Sequence, residues 1–215
     1  MDLRKTEYVF FDLDGTITEP FNGITKAVEY SLSKYGIKVE DRKELKVFIG
    51  PPLKPSYMKY YGFDEEKAIE AVAFYREYYS AGGMYDCELY DGAEKLLKYM
   101  SKKYKLVLAT SKPQPFAEKI LEKFDLKKYF HYIVGATFDD KVSEKADVIR
   151  KALFDLGISA DKAVMIGDRK YDILGAKENG LDSIGVLFGF GDLEELTNAG
   201  ARYIAETVED VLKFV

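Results

Sequence analysis

The sequence predicts an α/β fold: a doubly wound parallel sheet with an all-helical domain inserted after its first strand. Three observations carry that expectation. Short apolar runs alternate with helical repeats from Asp91 to the end of the chain. Residues 17–84 show helical spacing and no strand pattern. Two of the apolar runs end abruptly in aspartates, and open α/β sheets hold their ligands beyond such strand ends.

The first run, Val9-Phe10-Phe11, leads into Asp12-Leu13-Asp14-Gly15-Thr16 and reads as a buried strand with a polar end. Asp12 and Asp14, two apart on an extended chain, point the same way. Gly15 lets the chain turn sharply after them. Two crowded carboxylates repel unless a cation lies between them or one takes a proton. Hard oxygen ligands of this kind favour Mg²⁺. The competing reading is a hairpin on Asp14-Gly15, with Ile17 opening a return strand.

Beyond Thr16, residues Ile24, Ala27, Val28, Leu32 and Tyr35 fall on one helical stripe, which Gly36 ends. A second helical pattern covers Asp41 to Phe48, and Gly50-Pro51-Pro52 breaks it. A short helix is expected over Ser56 to Tyr61. A longer one follows Asp64, with Ala68, Val72, Tyr75 and Tyr79 on one face. Residues 17–84 therefore read as a helical cap domain, and 1–16 with 85–215 as the core domain. A cap placed there would cover the aspartates, exclude water and meet the non-reacting part of a substrate. Helices that simply pack on the core are the alternative. Most of the cap's aromatic residues read as its own core. The stiff turn at Gly50 and Pro51, with Lys54 as a cation for an anionic group, is the candidate specificity loop. An ordinary rigid connection fits it equally well.

From Asp91 the pattern is regular. Helical repeats at Ala93 to Met100, Ala117 to Phe124, Ile149 to Leu156 and Tyr171 to Glu178 alternate with strands at Leu106 to Ala109, Tyr132 to Ala136, Ala163 to Ile166 and Ser183 to Leu187. A short helix, a strand at Tyr203-Ile204 and a final helix follow. This is a Rossmann-like sheet covered on both faces. Thr110 then stands past a strand end, before a helix with proline in its first turn. A hydroxyl and free backbone N–H groups there can hold phosphate oxygens, with a plain helix cap as the alternative. Lys145 opens a helix, where the dipole disfavours a cation unless it faces an anion. Lys141, in the preceding loop, is its rival. Gly167-Asp168 ends another buried strand, and Asp172 falls in the first turn of the next helix, where it can return to the strand end. Asp139-Asp140 is a competing acidic pair that reads as solvated loop.

Composition narrows the function classes. A length of 215 residues suits one domain with a smaller insert, and 47% hydrophobic residues exclude a disordered chain. A net charge of −5 without a long basic run argues against nucleic-acid binding. No apolar run reaches membrane-span length, and Met1-Asp2-Leu3-Arg4-Lys5 lacks a signal-peptide core, so a soluble cytoplasmic protein is expected. The single cysteine, Cys87, excludes an internal disulfide and a cysteine-cluster metal site. The single histidine, His131, excludes a multi-histidine zinc site, and no Gly-x-Ser-x-Gly elbow accompanies it. Catalysis is left to carboxylates.

The segment Val9 to Thr16 closely resembles the opening Asp-x-Asp-Gly-Thr motif of the haloacid dehalogenase-like superfamily, and the resemblance extends over essentially the whole chain. It implies an Mg²⁺-dependent phosphatase working through an aspartyl-phosphate on a small phosphomonoester. Asp12 would be the nucleophile and Asp14 the general acid/base. Thr110 and Lys145 would hold phosphate, with Ser111 in a position the family often fills with Asn. Asp12, the backbone carbonyl of Asp14 and Asp168 would bind metal. Asp172 would bind it directly, through water, or by orienting the site. The chain looks most like phosphoglycolate phosphatases and bacterial 5′-nucleotidases, as a monomer or homodimer. A phosphomutase and a phosphorylatable signalling receiver are the alternatives. A receiver would lack both Asp14 and the cap.

Overall fold

The computed structural model describes residues 6–139 and 141–214, so the N-terminal segment Met1-Asp2-Leu3-Arg4-Lys5 and Asp140 lie outside the described residues. The chain divides into two units, Met1–Glu19 with Leu89–Val215, and Pro20–Glu88.

The larger unit is built on six parallel strands: β1 (Tyr8–Phe11), β4 (Lys105–Pro113), β5 (Phe130–Ala136), β6 (Ala163–Gly167), β7 (Asp182–Val186) and β8 (Tyr203–Ala205). Their order is β5-β4-β1-β6-β7-β8. β1 is buried along its whole length because both neighbours are central, with Phe11 level with Leu108 on β4 and with Ile166 on β6. After β5 the chain crosses back over β4 and β1 to reach β6, which creates a topological switch point at β1. The helices α4 (Ala93–Met100), α5 (Gln114–Lys123), α6 (Lys145–Leu156), α7 (Lys170–Glu178) and α8 (Leu193–Ala199) are the crossovers. Val148, Ile149 and Ala152 of α6 and Ala176 of α7 pack on the sheet face that carries Tyr8, Phe10, Val107 and Met165. Period-two alternation explains the choice of Tyr8 and Phe10.

The smaller unit holds α1 (Phe21–Ser33), α2 (Leu53–Tyr61) and α3 (Glu65–Ser80), with 3-10 turns at Arg42–Phe48 and Gly83–Tyr85. Its interior is aromatic. Tyr57 meets Phe48 edge-on and stacks on Phe63, and Tyr75 stacks on Tyr79. The Ser31 hydroxyl donates to the Ala71 carbonyl (2.7 Å), tying α1 to α3.

Several element boundaries differ from the sequence expectation. The stretch expected to lack strands begins with β2 (Thr18–Glu19), which pairs with β3 (Glu88–Leu89). Two-residue strands have no periodicity to read. The Asp41 to Phe48 pattern is a 3-10 turn capped by the Asp41 carboxylate, which accepts from the Lys43 N–H. α2 starts at Leu53 rather than Ser56, because Pro55 sits in a first turn whose N–H groups have no intrahelical partner. β4 runs on to Pro113 instead of ending at Ala109. It does so through an irregularity in which Thr110 to Pro113 spans only Gly135 to Ala136 on β5. The final helix is the 3-10 turn Glu209–Lys213. Among the described residues no helix is long and apolar enough to cross a membrane.

Candidate active site

The carboxyl ends of β4, β1 and β6 lie side by side in the larger unit, and each delivers a polar side chain. Asp12 follows β1 and donates its backbone N–H to the Ile166 carbonyl of β6 (3.0 Å). Thr110 lies on β4, buried, and its hydroxyl oxygen accepts from the Lys112 backbone N–H (3.2 Å). Asp168 follows β6 and is fully buried.

Lys145 is the first residue of α6, and its ammonium is buried among these groups. Nζ lies 2.7 Å from Asp12 Oδ1, 2.8 Å from Asp172 Oδ1 and 2.9 Å from the Ala109 carbonyl oxygen. The two carboxylate contacts are ion pairs, and the ammonium donates a hydrogen bond to the carbonyl. A cation in a helix's first turn is accounted for, since it faces two carboxylates. Burial works against its charge, but Asp12 and Asp172 outweigh burial, and the net shift of the Lys145 ammonium is upward. Lys141, the rival, is exposed and pairs with the exposed Asp139 (3.0 Å).

Asp172 returns from the first turn of α7 to the strand end. Its Oδ2 accepts from the Arg169 N–H (3.1 Å), and a Cβ on Gly167 would lie 2.2 Å from its Cγ, so this return requires glycine at 167. Asp168 Oδ2 accepts from the Phe190 N–H (2.8 Å), and Oδ1 from the Thr16 hydroxyl (3.4 Å). Gly15, at φ +88°, passes so close that its Cβ would lie 2.1 Å from Asp168 Oδ2. Burial, reinforced by the neighbouring carboxylates, holds Asp168 well above the usual carboxylate range. Burial also raises Asp172, against the pull of Lys145. Carboxylate oxygens of Asp12, Asp168 and Asp172 lie within 4.8 Å of one another.

The Asp14 side chain stands outside that group of three. Its Oδ2 pairs with Lys112 Nζ (2.6 Å), and Oδ1 accepts from the Thr18 hydroxyl (3.4 Å). Burial raises its carboxyl, with Lys112 opposing. Six charged side chains are buried among the described residues, namely Asp12, Asp14, Lys112, Lys145, Asp168 and Asp172, and all belong to this cluster.

The sequence reading named five of these six and missed Lys112. It placed Ser111 beside Thr110; burial alternates only at the end of β4, where Thr110 and Lys112 are buried and Ser111 is half-buried between them. The rule that aligned Asp12 with Asp14 would have found Lys112, two residues beyond Thr110. The Phe190 N–H was also missed, as was the Arg169–Glu195 ion pair (2.9 Å). Gly50, Pro51 and Lys54 lie in the smaller unit. There Gly50 adopts φ +103°, and Lys54 Nζ pairs with Glu65 (3.2 Å). Cys87 is buried, with its Sγ 3.4 Å from the Met84 carbonyl oxygen, and His131 lies exposed on β5.

A family model for haloacid dehalogenase-like hydrolases matches residues 9–186. The chain is 43% identical over 189 residues to a 5′-nucleotidase of Pseudomonas aeruginosa, covering 87% of this chain and 86% of that protein. It is 34% identical over 211 residues to the tyrosine-protein kinase PtkA of Mycobacterium tuberculosis, covering 97% of this chain and 72% of that protein. The crystal structure of a predicted phosphatase from Clostridium acetobutylicum matches with a TM-score of 0.95 at 53% identity, over 97% of each chain. Strand order, the buried cluster at the switch point and these likenesses agree: the chain belongs to the haloacid dehalogenase-like hydrolases, as an enzyme of their phosphatase group.

Proposed function

We propose that the protein is a Mg²⁺-dependent phosphomonoester hydrolase that forms a phosphoaspartate on Asp12. A 5′-nucleotide is the favoured substrate and phosphoglycolate the second candidate. The observation that carries this reading is the gathering of every buried charge among the described residues into one cluster. Buried charge is costly, and a fold that confines it to one strand edge retains it for chemistry.

Asp12 attacks phosphorus in line, and the bond from phosphorus to the leaving oxygen breaks. That oxygen takes the electron pair and a proton from the Asp14 carboxylic acid. In the second half Asp14, now a carboxylate, takes a proton from water as the water oxygen attacks phosphorus. The bond to Asp12 breaks and its carboxylate is restored. The Thr110 hydroxyl and the Lys145 ammonium are assigned to the non-bridging phosphoryl oxygens, where charge must be held. Lys145 Nζ already lies 2.7 Å from Asp12, so the two groups face the same phosphoryl position.

The oxygen-only donor set of Asp12, Asp168 and Asp172 within 4.8 Å suits a hard divalent cation, joined by the Asp14 backbone carbonyl. Bound there, Mg²⁺ would neutralise the phosphate's charge. The nucleotidase relative supports the substrate choice. The kinase relative favours a second reading, in which a hydroxyl other than water receives the phosphoryl group.

The test is phosphate release from nucleoside 5′-monophosphates, phosphoglycolate and sugar phosphates, with Mg²⁺ and with excess chelator, for the wild type and Asp12→Asn. Metal-dependent release lost in the variant is expected. Release that survives the substitution would remove Asp12 as the nucleophile. Absent release with label passing to a peptide tyrosine would favour the second reading.

A further inference from the structure

Lys112 has no place in the scheme so far, yet the fold goes to some length to bury it. β4 accommodates two extra residues, Ser111 and Lys112, between Thr110 and Pro113, and Lys112 is buried as Thr110 is. The arrangement depends on Gly135 of β5, where a Cβ would lie 2.6 Å from the Lys112 carbonyl oxygen. The Lys112 side chain is 5% exposed, and its Nζ lies 2.6 Å from Asp14 Oδ2.

We propose that Lys112 is a positioning residue for the general acid. Its ammonium holds Asp14 Oδ2, and so turns Oδ1 toward the leaving oxygen. An ammonium has donors only, so it fixes the oxygen it grips as an acceptor. Oδ1, with only the longer 3.4 Å contact from Thr18, is left to serve the substrate. Without the ammonium the Asp14 carboxyl is free to rotate, and misplacement by about 1 Å is enough to lose on the order of 10²-fold in rate.

This inference rests on the hydrolase reading above, and leaving-group chemistry separates the two. When the alcohol leaves, its oxygen needs a proton if it departs as an alkoxide and needs none if it departs as a nitrophenolate. The measurement is kcat/KM for nitrophenyl, phenyl and alkyl phosphates, in the wild type, Lys112→Met, Lys112→Arg and Asp14→Asn. kcat/KM stops at loss of the alcohol, so the later attack of water does not enter. Lys112→Met is expected to lose roughly 10²-fold on the alkyl ester and only several-fold on the nitrophenyl ester. Asp14→Asn should lean the same way, and Lys112→Arg should recover part of the loss. Turnover of the nitrophenyl ester reports that the variant is folded.

Equal loss on all esters, or a rise in KM alone, would mean that Lys112 binds the common phosphoryl group, and would overturn the proposal. Unchanged kcat/KM would do the same. A flat response in Asp14→Asn itself would bring down the acid role of Asp14. A steep response there with a flat one in Lys112→Met sinks the Lys112 inference alone.

Discussion

Gly15→Ala is the substitution whose cost the geometry specifies best. The new Cβ would lie 2.1 Å from Asp168 Oδ2 and 2.4 Å from its Cγ, where ordinary contact begins at 3.4 Å. Either the turn or the carboxylate must move by about 1.3 Å, the difference between those two distances. At φ +88° a side chain also carries a conformational cost of about 1–2 kcal/mol. Crowding a packed site adds about 1–3 kcal/mol. Rotation of Asp168 offers no cheap escape, because it forfeits the bond from the Phe190 N–H, and hydrogen bonds to charged groups contribute about 1.5–3 kcal/mol each. Gly157 provides the control: it has φ +62° and no atom within 4 Å of its missing Cβ. Gly157→Ala carries the conformational cost without the collision. In urea denaturation Gly15→Ala should fall below Gly157→Ala by about 1–3 kcal/mol. It should also need more Mg²⁺ for half-maximal phosphate release. Stabilities equal within about 0.5 kcal/mol, with an unchanged Mg²⁺ requirement, would refute the close approach of Gly15 to Asp168.

Other expectations follow from the same cluster. Asp12→Asn should lower phosphate release by roughly 10⁴-fold or more on every ester, with its unfolding midpoint little changed. Excess chelator should reduce wild-type turnover to background, and added Mg²⁺ should restore it. Lys145→Met leaves two buried carboxylates without their ammonium and should cost about 3–5 kcal/mol in denaturant unfolding. Adding Asp172→Asn should recover part of that loss, and strict additivity would argue against the pair. Arg169→Met removes a half-buried ion pair to Glu195 and should cost about 1–2 kcal/mol, read as a shift in urea midpoint.

The sequence was most legible where one physical rule acts alone. Val9 to Phe11 is apolar at every position because β1 is covered on both faces, and this run revealed a central parallel strand. Asp168 and Asp172 were legible as a strand end and a helix first turn. Lys145 was legible because it violates the helix-dipole preference, and violations of that kind collect at functional sites. The failures have causes of their own. β4 was cut short because Thr110-Ser111-Lys112-Pro113 looks like a turn, while its continuation depends on Gly135 two elements away. Lys112 went unnoticed for the same reason, since a turn has no alternation to assign sides. The Phe190 N–H that holds Asp168 is a backbone group from a loop after β7, and no side-chain pattern announces it. In the smaller unit the Lys54–Glu65 ion pair was not legible either, because local spacing does not encode tertiary partners.

Charge explains why these residues form one unit of function rather than a set of neighbours. Four carboxylates and two ammonium groups are buried together, an excess of two negative charges if all are ionised. The fold lowers that excess only in part. Lys145 is shared between Asp12 and Asp172, Lys112 is committed to Asp14, and Asp168 is met by a backbone N–H and a hydroxyl. Burial accordingly pushes Asp168 and Asp172 upward. A divalent cation beside those two and Asp12 would carry the charge that balances the excess, which a lone monovalent ion would not. With a cation bound there, an incoming phosphate would meet the Lys145 ammonium and a metal rather than a wall of carboxylates. Removal of either lysine should therefore change how the remaining carboxylates respond to Mg²⁺. Lys145→Met, with two carboxylates released, should gain more thermal stability from saturating Mg²⁺ than the wild type does. A smaller gain would mean that the cation and Lys145 do not share the same carboxylates.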